Sequence, residues 1–230
     1  GCFFYQFITR IPILRFRVGN NMAISFHRFA LFAVALFSMS MIPNIATAAE
    51  DILLADFEGD DYGNWKVDGK AFGPGPAEGT LEKQNPVSGY QGKRLVNTFF
   101  DGDKTTGTLT SPEYAIERDY LNMLVGGGAF YDSTYVEVRI DGRPLFHICG
   151  KATERLEPVH VDLREYQGQK VQIHVVDRHK TGWGHINLDQ VYLSDSPQGE
   201  RKDRIFTPEE MLRQMHDGLD KVGFKEIIFT

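Results

Sequence analysis

Cysteine is nearly absent. The 230 residues contain two, Cys2 and Cys149. If the first 48 residues are removed on export, as argued below, Cys149 is alone and no internal disulfide can form. A disulfide-stapled secreted scaffold is therefore excluded, and the fold must rely on its core or on a metal. Cys149 itself sits in Leu145-Phe146-His147-Ile148-Cys149, where a small buried apolar residue is expected rather than a nucleophile. Acidic residues are missing before Glu50, while Arg10, Arg15, Arg17 and Arg28 fall in that stretch. The chain has no internal repeat and no low-complexity tract. Its apolar runs also fall short of the roughly 20 residues a membrane-spanning helix needs.

The acid-free stretch reads as a targeting segment. Met22 to Arg28 forms a basic n-region, Phe29 to Phe37 opens an apolar h-region, and Ala46-Thr47-Ala48 is an A-x-A site. This pattern predicts a secretory signal over 22–48 with cleavage after Ala48. Residues 1–21 precede Met22 and read as upstream of the initiator. The expected location is periplasmic or extracellular, with no membrane attachment after cleavage. The remaining chain carries 21 basic residues (25 less 4) against 31 acidic ones, a formal charge of −10. Such an acidic chain argues against nucleic acid or anionic lipid as partner.

From Asp51 to Asp195 the sequence predicts strand after strand. Val136, Val138 and Ile140 alternate with Tyr135, Glu137 and Arg139. Asp141-Gly142 then turns a hairpin, and Leu145 and Ile148 return. Val159, Val161 and Leu163 alternate with His160, Asp162 and Arg164. Val171, Ile173 and Val175 alternate with Gln172 and His174. Roughly nine or ten strands, each with one apolar face, predict an all-β, antiparallel jelly-roll β-sandwich over 49–196. The alternation slips at Asp189, which predicts a bulge there. Residues 197–206 read as a linker. Thr207-Pro208-Glu209-Glu210 is a capping box, and Met211, Leu212, Met215, Leu219 and Val222 form one helical stripe. The expectation for 207–230 is a short helix–strand fragment opening a further, truncated domain.

Chemistry-bearing residues concentrate at Val175–Asp189. Trp183 stands between Gly182 and Gly184, which would let its indole stand exposed. Asp177, Arg178, His179, His185, Asn187 and Asp189 crowd around it. An aromatic platform ringed by hydrogen-bonding groups suits a sugar, with its apolar C–H faces and polar edges. The alternative is a surface turn with a half-buried core Trp. Glu154 and Arg155 follow Cys149-Gly150 in an expected loop, and Arg155 could fork two hydrogen bonds onto vicinal hydroxyls. Gly126, Gly127 and Gly128 lack a following Lys-Ser/Thr and are no phosphate loop. They would let a ligand or a neighbouring loop approach the backbone closely. Glu58, Asp60 and Asp61 put carboxylates at one strand end. In a jelly roll Asp189 could join Glu58 there, which makes Glu58 and Asp189 candidate calcium ligands. His174, His179 and His185 show no zinc spacing.

Four pieces occur in order: Phe57-Glu58-Gly59-Asp60-Asp61-Tyr62-Gly63-Asn64-Trp65, Gly107-Thr108-Leu109-Thr110-Ser111-Pro112, Gly126-Gly127-Gly128 and Gly182-Trp183-Gly184-His185-Ile186-Asn187. Over about Ala55 to Asp195 they resemble the accessory β-sandwich of secreted levanases and related β-fructosidases, a glycoside hydrolase family. The resemblance implies a polysaccharide-binding module with fructan as ligand. Trp183, His185, Asp177, Glu154 and Arg155 would contact the sugar, and Gly126–Gly128 would shape the floor. That family's Trp-Met-Asn-Asp-Pro-Asn-Gly, Arg-Asp-Pro and Glu-Cys catalytic motifs do not occur here, so no catalytic residue is expected. Two alternatives stay open: a fragment of a glycoside hydrolase whose catalytic domain is missing, and a structural extracellular domain.

Overall fold

The structure, a computed structural model, describes residues 49–205. The signal segment and the helix–strand fragment predicted over 207–230 lie outside the described residues. Twelve strands follow in order: β1 Ile52–Ala55, β2 Lys66–Gly69, β3 Val96–Asn97, β4 Gly107–Thr110, β5 Tyr114–Ala115, β6 Tyr120–Gly127, β7 Thr134–Ile140, β8 Arg143–Ile148, β9 Thr153–Asp162, β10 Lys170–Asp177, β11 Ile186–Ser194 and β12 Glu200–Lys202. One sheet has the order β1-β11-β6-β9-β12, with β3 also on β11. The other runs β2-β4-β10-β7-β8, with β5 also on β10. The chain crosses repeatedly between the sheets, as the jelly-roll reading requires.

The period-2 alternation decides which residues meet between the layers. Val136, Val138 and Ile140 of β7 and Val171, Ile173 and Val175 of β10 are all fully buried. They share a core cluster with Leu121 and Met123 of β6, Val159 and Val161 of β9, and Leu188 of β11. Each such side chain contributes on the order of 1.5–3 kcal/mol by leaving water. At one corner Phe57 packs edge-on against Trp65 at 5.3 Å.

Turn chemistry follows the local sequence. Asp141 and Gly142 take φ of 46° and 75°. They join the paired Ile140 and Arg143, the two-residue turn that suits strand twist. The bulge falls where the alternation slips: the β11–β6 register shifts between Asp189 and Tyr192, and Gln190 has φ +50°. β1 pairs with β11, so the first strand does neighbour the strand carrying Asp189.

The expected linker is the main departure. Glu200–Lys202 forms β12 and pairs in parallel with Val159–Val161 of β9. Gln198 N–H donates to Asn122 Oδ1 at 2.8 Å, and Ile205 N–H donates to the Leu145 carbonyl at 2.8 Å. A Cβ on Gly199 would run into the Pro158 carbonyl. Polar composition suggested a tether; backbone pairing makes 198–205 part of the sandwich.

Candidate functional site

One end of the sandwich gathers the segment between β10 and β11, the 99–105 segment and the start of β9. Trp183 is half-buried and has φ +64°. The left-handed conformation therefore falls on the bulky residue itself, not on the flanking glycines. It costs roughly 1–2 kcal/mol. Strain of this kind persists where the surroundings over-determine it.

Those surroundings can be named. The indole stacks on the His185 imidazole, 5.9 Å between centroids and 22° between planes. Phe99 packs edge-on against the same imidazole at 4.9 Å. His185 is buried, and its Nδ1 lies 2.7 Å from Asp103 Oδ1. Its Nε2 lies 3.1 Å from both Glu154 oxygens. Burial alone would push the imidazole pKa down; Glu154 and Asp103 overcome that and raise it. When protonated, the imidazole beneath the indole adds a cation–π attraction to the stack.

Glu154 is committed to this scaffold. It is 6 % exposed and accepts from His185, from Asn187 Nδ2 at 3.1 Å and from Gln84 Nε2 at 3.0 Å. Gln84 Oε1 in turn accepts from Asn97 Nδ2 at 2.7 Å. The expectation that Glu154 binds sugar hydroxyls is corrected: it orients His185 from behind. Arg155 does not join Glu154 at the Trp183 end. Both residues belong to β9, not a loop, and successive side chains of a strand face opposite sides. Arg155 is exposed, away from Glu154.

The glycines also have a different role. A Cβ on Gly126 would meet the Arg155 carbonyl at 3.1 Å. On Gly127, whose φ is +93°, it would collide with the His185 carbonyl, and on Gly128 with the Trp183 carbonyl. Protein backbone occupies the space a ligand would have taken. Gly126–Gly128 therefore set the height of the Trp183 segment and do not form a ligand floor.

Asp177 ends β10 and is 1 % exposed. Neither carboxylate oxygen has a hydrogen-bond partner of ordinary geometry. Burial pushes its pKa up to about 7. It is enclosed, so the expectation that it contacts hydroxyls at the surface is corrected as well. Asp103, Gln84 and Asn97 were not anticipated. Asp103 lies 82 residues from its histidine, and no local pattern marks it.

Glu58 and Asp189 lie at another place, where β1 meets β11. Glu58 accepts from Lys93 N–H at 2.9 Å and Arg94 N–H at 3.0 Å. Asp189 is buried and accepts from Gln91 N–H at 2.7 Å. Its pKa rises to about 7, first through burial and also through the nearby Glu58 and Asp56 charges. Carboxylate oxygens are the donor type calcium takes, although both oxygens of each group already accept backbone N–H groups. Among the described residues no three His, Cys, Asp or Glu side chains form a metal-holding group, so further ligands would be backbone oxygens or water.

No family model matches this chain. A protein of Aspergillus rugulosus named "Putative glycosyl hydrolase ecdE" is 37 % identical over 150 residues, 64 % of this chain. The match spans about a fifth of that relative, 21 % of its length. Among solved structures, a family 35 carbohydrate binding module from Clostridium thermocellum is 12 % identical, with a TM-score of 0.36. The alignment covers 64 % of this chain and 100 % of that one. TmCBM61 in complex with β-1,4-galactotriose is 16 % identical over 63 % of this chain and 98 % of that one, with a TM-score of 0.38. A cyclase from Fischerella sp. TAU is 13 % identical over 68 % of this chain and 93 % of that one, with a TM-score of 0.36. Likenesses of this degree leave function to be argued from the site itself.

Proposed function

We propose that this chain is an exported, non-catalytic polysaccharide-binding domain with fructan as its ligand. The observation that carries the reading is Trp183. A bulky residue is held half-buried at φ +64° on an imidazole clamped between Asp103 and Glu154. A structural Trp is ordinarily placed in the core without backbone strain. Here a buried polar network holds the indole at the end of the sandwich, the arrangement expected of a preorganised stacking platform. The order of the four sequence motifs supports fructan, and the signal-like segment supports export. A calcium ion held by Glu58 and Asp189 would neutralise their mutual repulsion and take no part in chemistry.

A second reading has its own support. The chain matches about a fifth of a relative named as a glycosyl hydrolase. On that reading this sandwich is the accessory part of a larger glycosidase, which is compatible with its binding sugar.

Affinity electrophoresis in levan, inulin and xylan gels tests the proposal, with a reducing-sugar assay alongside. Wild type should be retarded by a fructan. Trp183→Ala should lose on the order of 1 kcal/mol of stacking, about fivefold in affinity, with the fold unchanged by circular dichroism. Equal mobility of the two proteins in every gel removes the site. Release of fructose by the chain overturns the non-catalytic reading.

A further inference from the structure

Tyr131 is the most exposed large apolar side chain among the described residues, at 64 %. Single exposed aromatics need no explanation, but this one has a built setting. Its hydroxyl lies near Cys149, Glu200 and Lys151, and the Cys149 thiol is the main cause that raises the phenol pKa. Cys149 lines a surface concavity together with Lys151, Thr153, Arg155, Glu157 and Lys202. Val125 and Val159 line it as well, so the concavity near the tyrosine has both apolar and charged walls.

The wall is preorganised. Lys151 Nζ bridges Glu157 at 2.9 Å and Glu200 at 2.8 Å. Lys202 Nζ reaches the same Glu200 at 2.8 Å. These ion pairs tie β9 to β12, the strand that replaces the expected linker. Thr153, Arg155 and Glu157 alternate along one face of β9, so they span about 13 Å at the usual strand rise. That is longer than one sugar ring. Arg155 is exposed; among the described residues its guanidinium enters no ion pair or side-chain hydrogen bond and only helps to lower the Glu157 pKa through space, so its donor fork can reach vicinal hydroxyls.

We propose that Tyr131 and the Arg155 face of β9 form a second saccharide-binding site, separate from Trp183. The C–H face of a sugar ring stacks on Tyr131, and Arg155 and Thr153 bind its hydroxyls. The proposal shares the polysaccharide ligand class with the reading above but uses none of its residues. Two sites on one domain would raise avidity for a polymer beyond that for a short oligosaccharide.

The test uses the full chain in gels of levan, inulin, xylan and β-1,4-galactan. Tyr131→Ala and Arg155→Gln should each weaken retardation about fivefold or more in at least one gel. They should do so in the Trp183→Ala background as well as in wild type. Tyr131→Phe keeps the ring and removes only the hydroxyl, so it should bind as wild type. Retention by Tyr131→Phe with loss by Tyr131→Ala assigns the effect to stacking. Unchanged thermal melts, expected for exposed side chains, confirm that the fold is intact. If Tyr131→Ala and Arg155→Gln match wild type in every gel while Trp183→Ala loses binding, the second site is overturned and the Trp183 reading stands. If Tyr131→Ala abolishes binding and Trp183→Ala does not, the reverse holds. Absence of wild-type retardation in all four gels overturns both.

Discussion

Asp177 gives the sharpest quantitative test of the structure. Its carboxylate is buried with no hydrogen bond of ordinary geometry among the described residues, and burial lifts its pKa from 3.8 to about 7 against the opposing pull of Thr98, His185 and the His179 backbone. A raised acid pKa means that the folded state holds the proton more tightly than the unfolded state does. The stability linked to this group is therefore fully present below pH 4 and is lost as pH rises through about 7. At about 1.4 kcal/mol per pH unit, the full shift of about three units corresponds to about 4 kcal/mol. Asp177→Asn removes the titration. Its amide N–H groups would be left unpaired, a pH-independent cost of about 1–3 kcal/mol. The difference between two pH values cancels that cost, and it also cancels Asp189, which titrates in the same window in both proteins. Asp177→Asn should thus gain about 2–3 kcal/mol relative to wild type on going from pH 5 to pH 8. In a protein of this size that is a relative rise in Tm of about 5–10 °C. Urea unfolding of both proteins at pH 5 and pH 8 measures it. A relative stability that is the same at both pH values would show that Asp177 is not an isolated buried acid, and the reasoning would fail.

Three further outcomes are expected. Gly128→Ala should weaken sugar retention as Trp183→Ala does, although Gly128 touches no ligand, because a methyl there displaces the Trp183 carbonyl; affinity electrophoresis against Gly168→Ala, a positive-φ glycine in open surroundings outside the site, is the control. Chelator should lower the melting temperature of wild type and leave Glu58→Ala unchanged, since metal bound only by the folded state stabilises it by mass action; a wild-type melt indifferent to chelator removes the calcium proposal. Mass spectrometry of exported protein should find Ala49 at the amino terminus, and a retained Met22 would show an uncleaved segment.

Where the sequence was legible, the determinant was local. The alternation of Val136, Val138 and Ile140, or of Val171, Ile173 and Val175, states which face of a strand leaves water, and a period of two has only one structural meaning. Asp141-Gly142 specifies a two-residue turn because both positions need φ above zero. The slip in alternation around Asp189 marks a bulge, because an extra residue is the only way to keep both flanks on the core. The nearness of Trp183 and His185 was legible because they lie two residues apart, but His185, expected to bind hydroxyls, is buried beneath the indole with both ring nitrogens engaged. What only the tertiary structure decided was non-local. Asp103 reaches His185 from a separate loop, and Gln84 covers Glu154 from a segment 70 residues away. The opposite faces of Glu154 and Arg155 followed once the pair proved to lie in a strand. Glu200–Lys202 became a strand because β9 offered an unpaired edge, a property of the sheet that a polar stretch of sequence does not carry. Local periodicity encodes the direction of a side chain; the group that waits for it there is chosen by how distant loops pack.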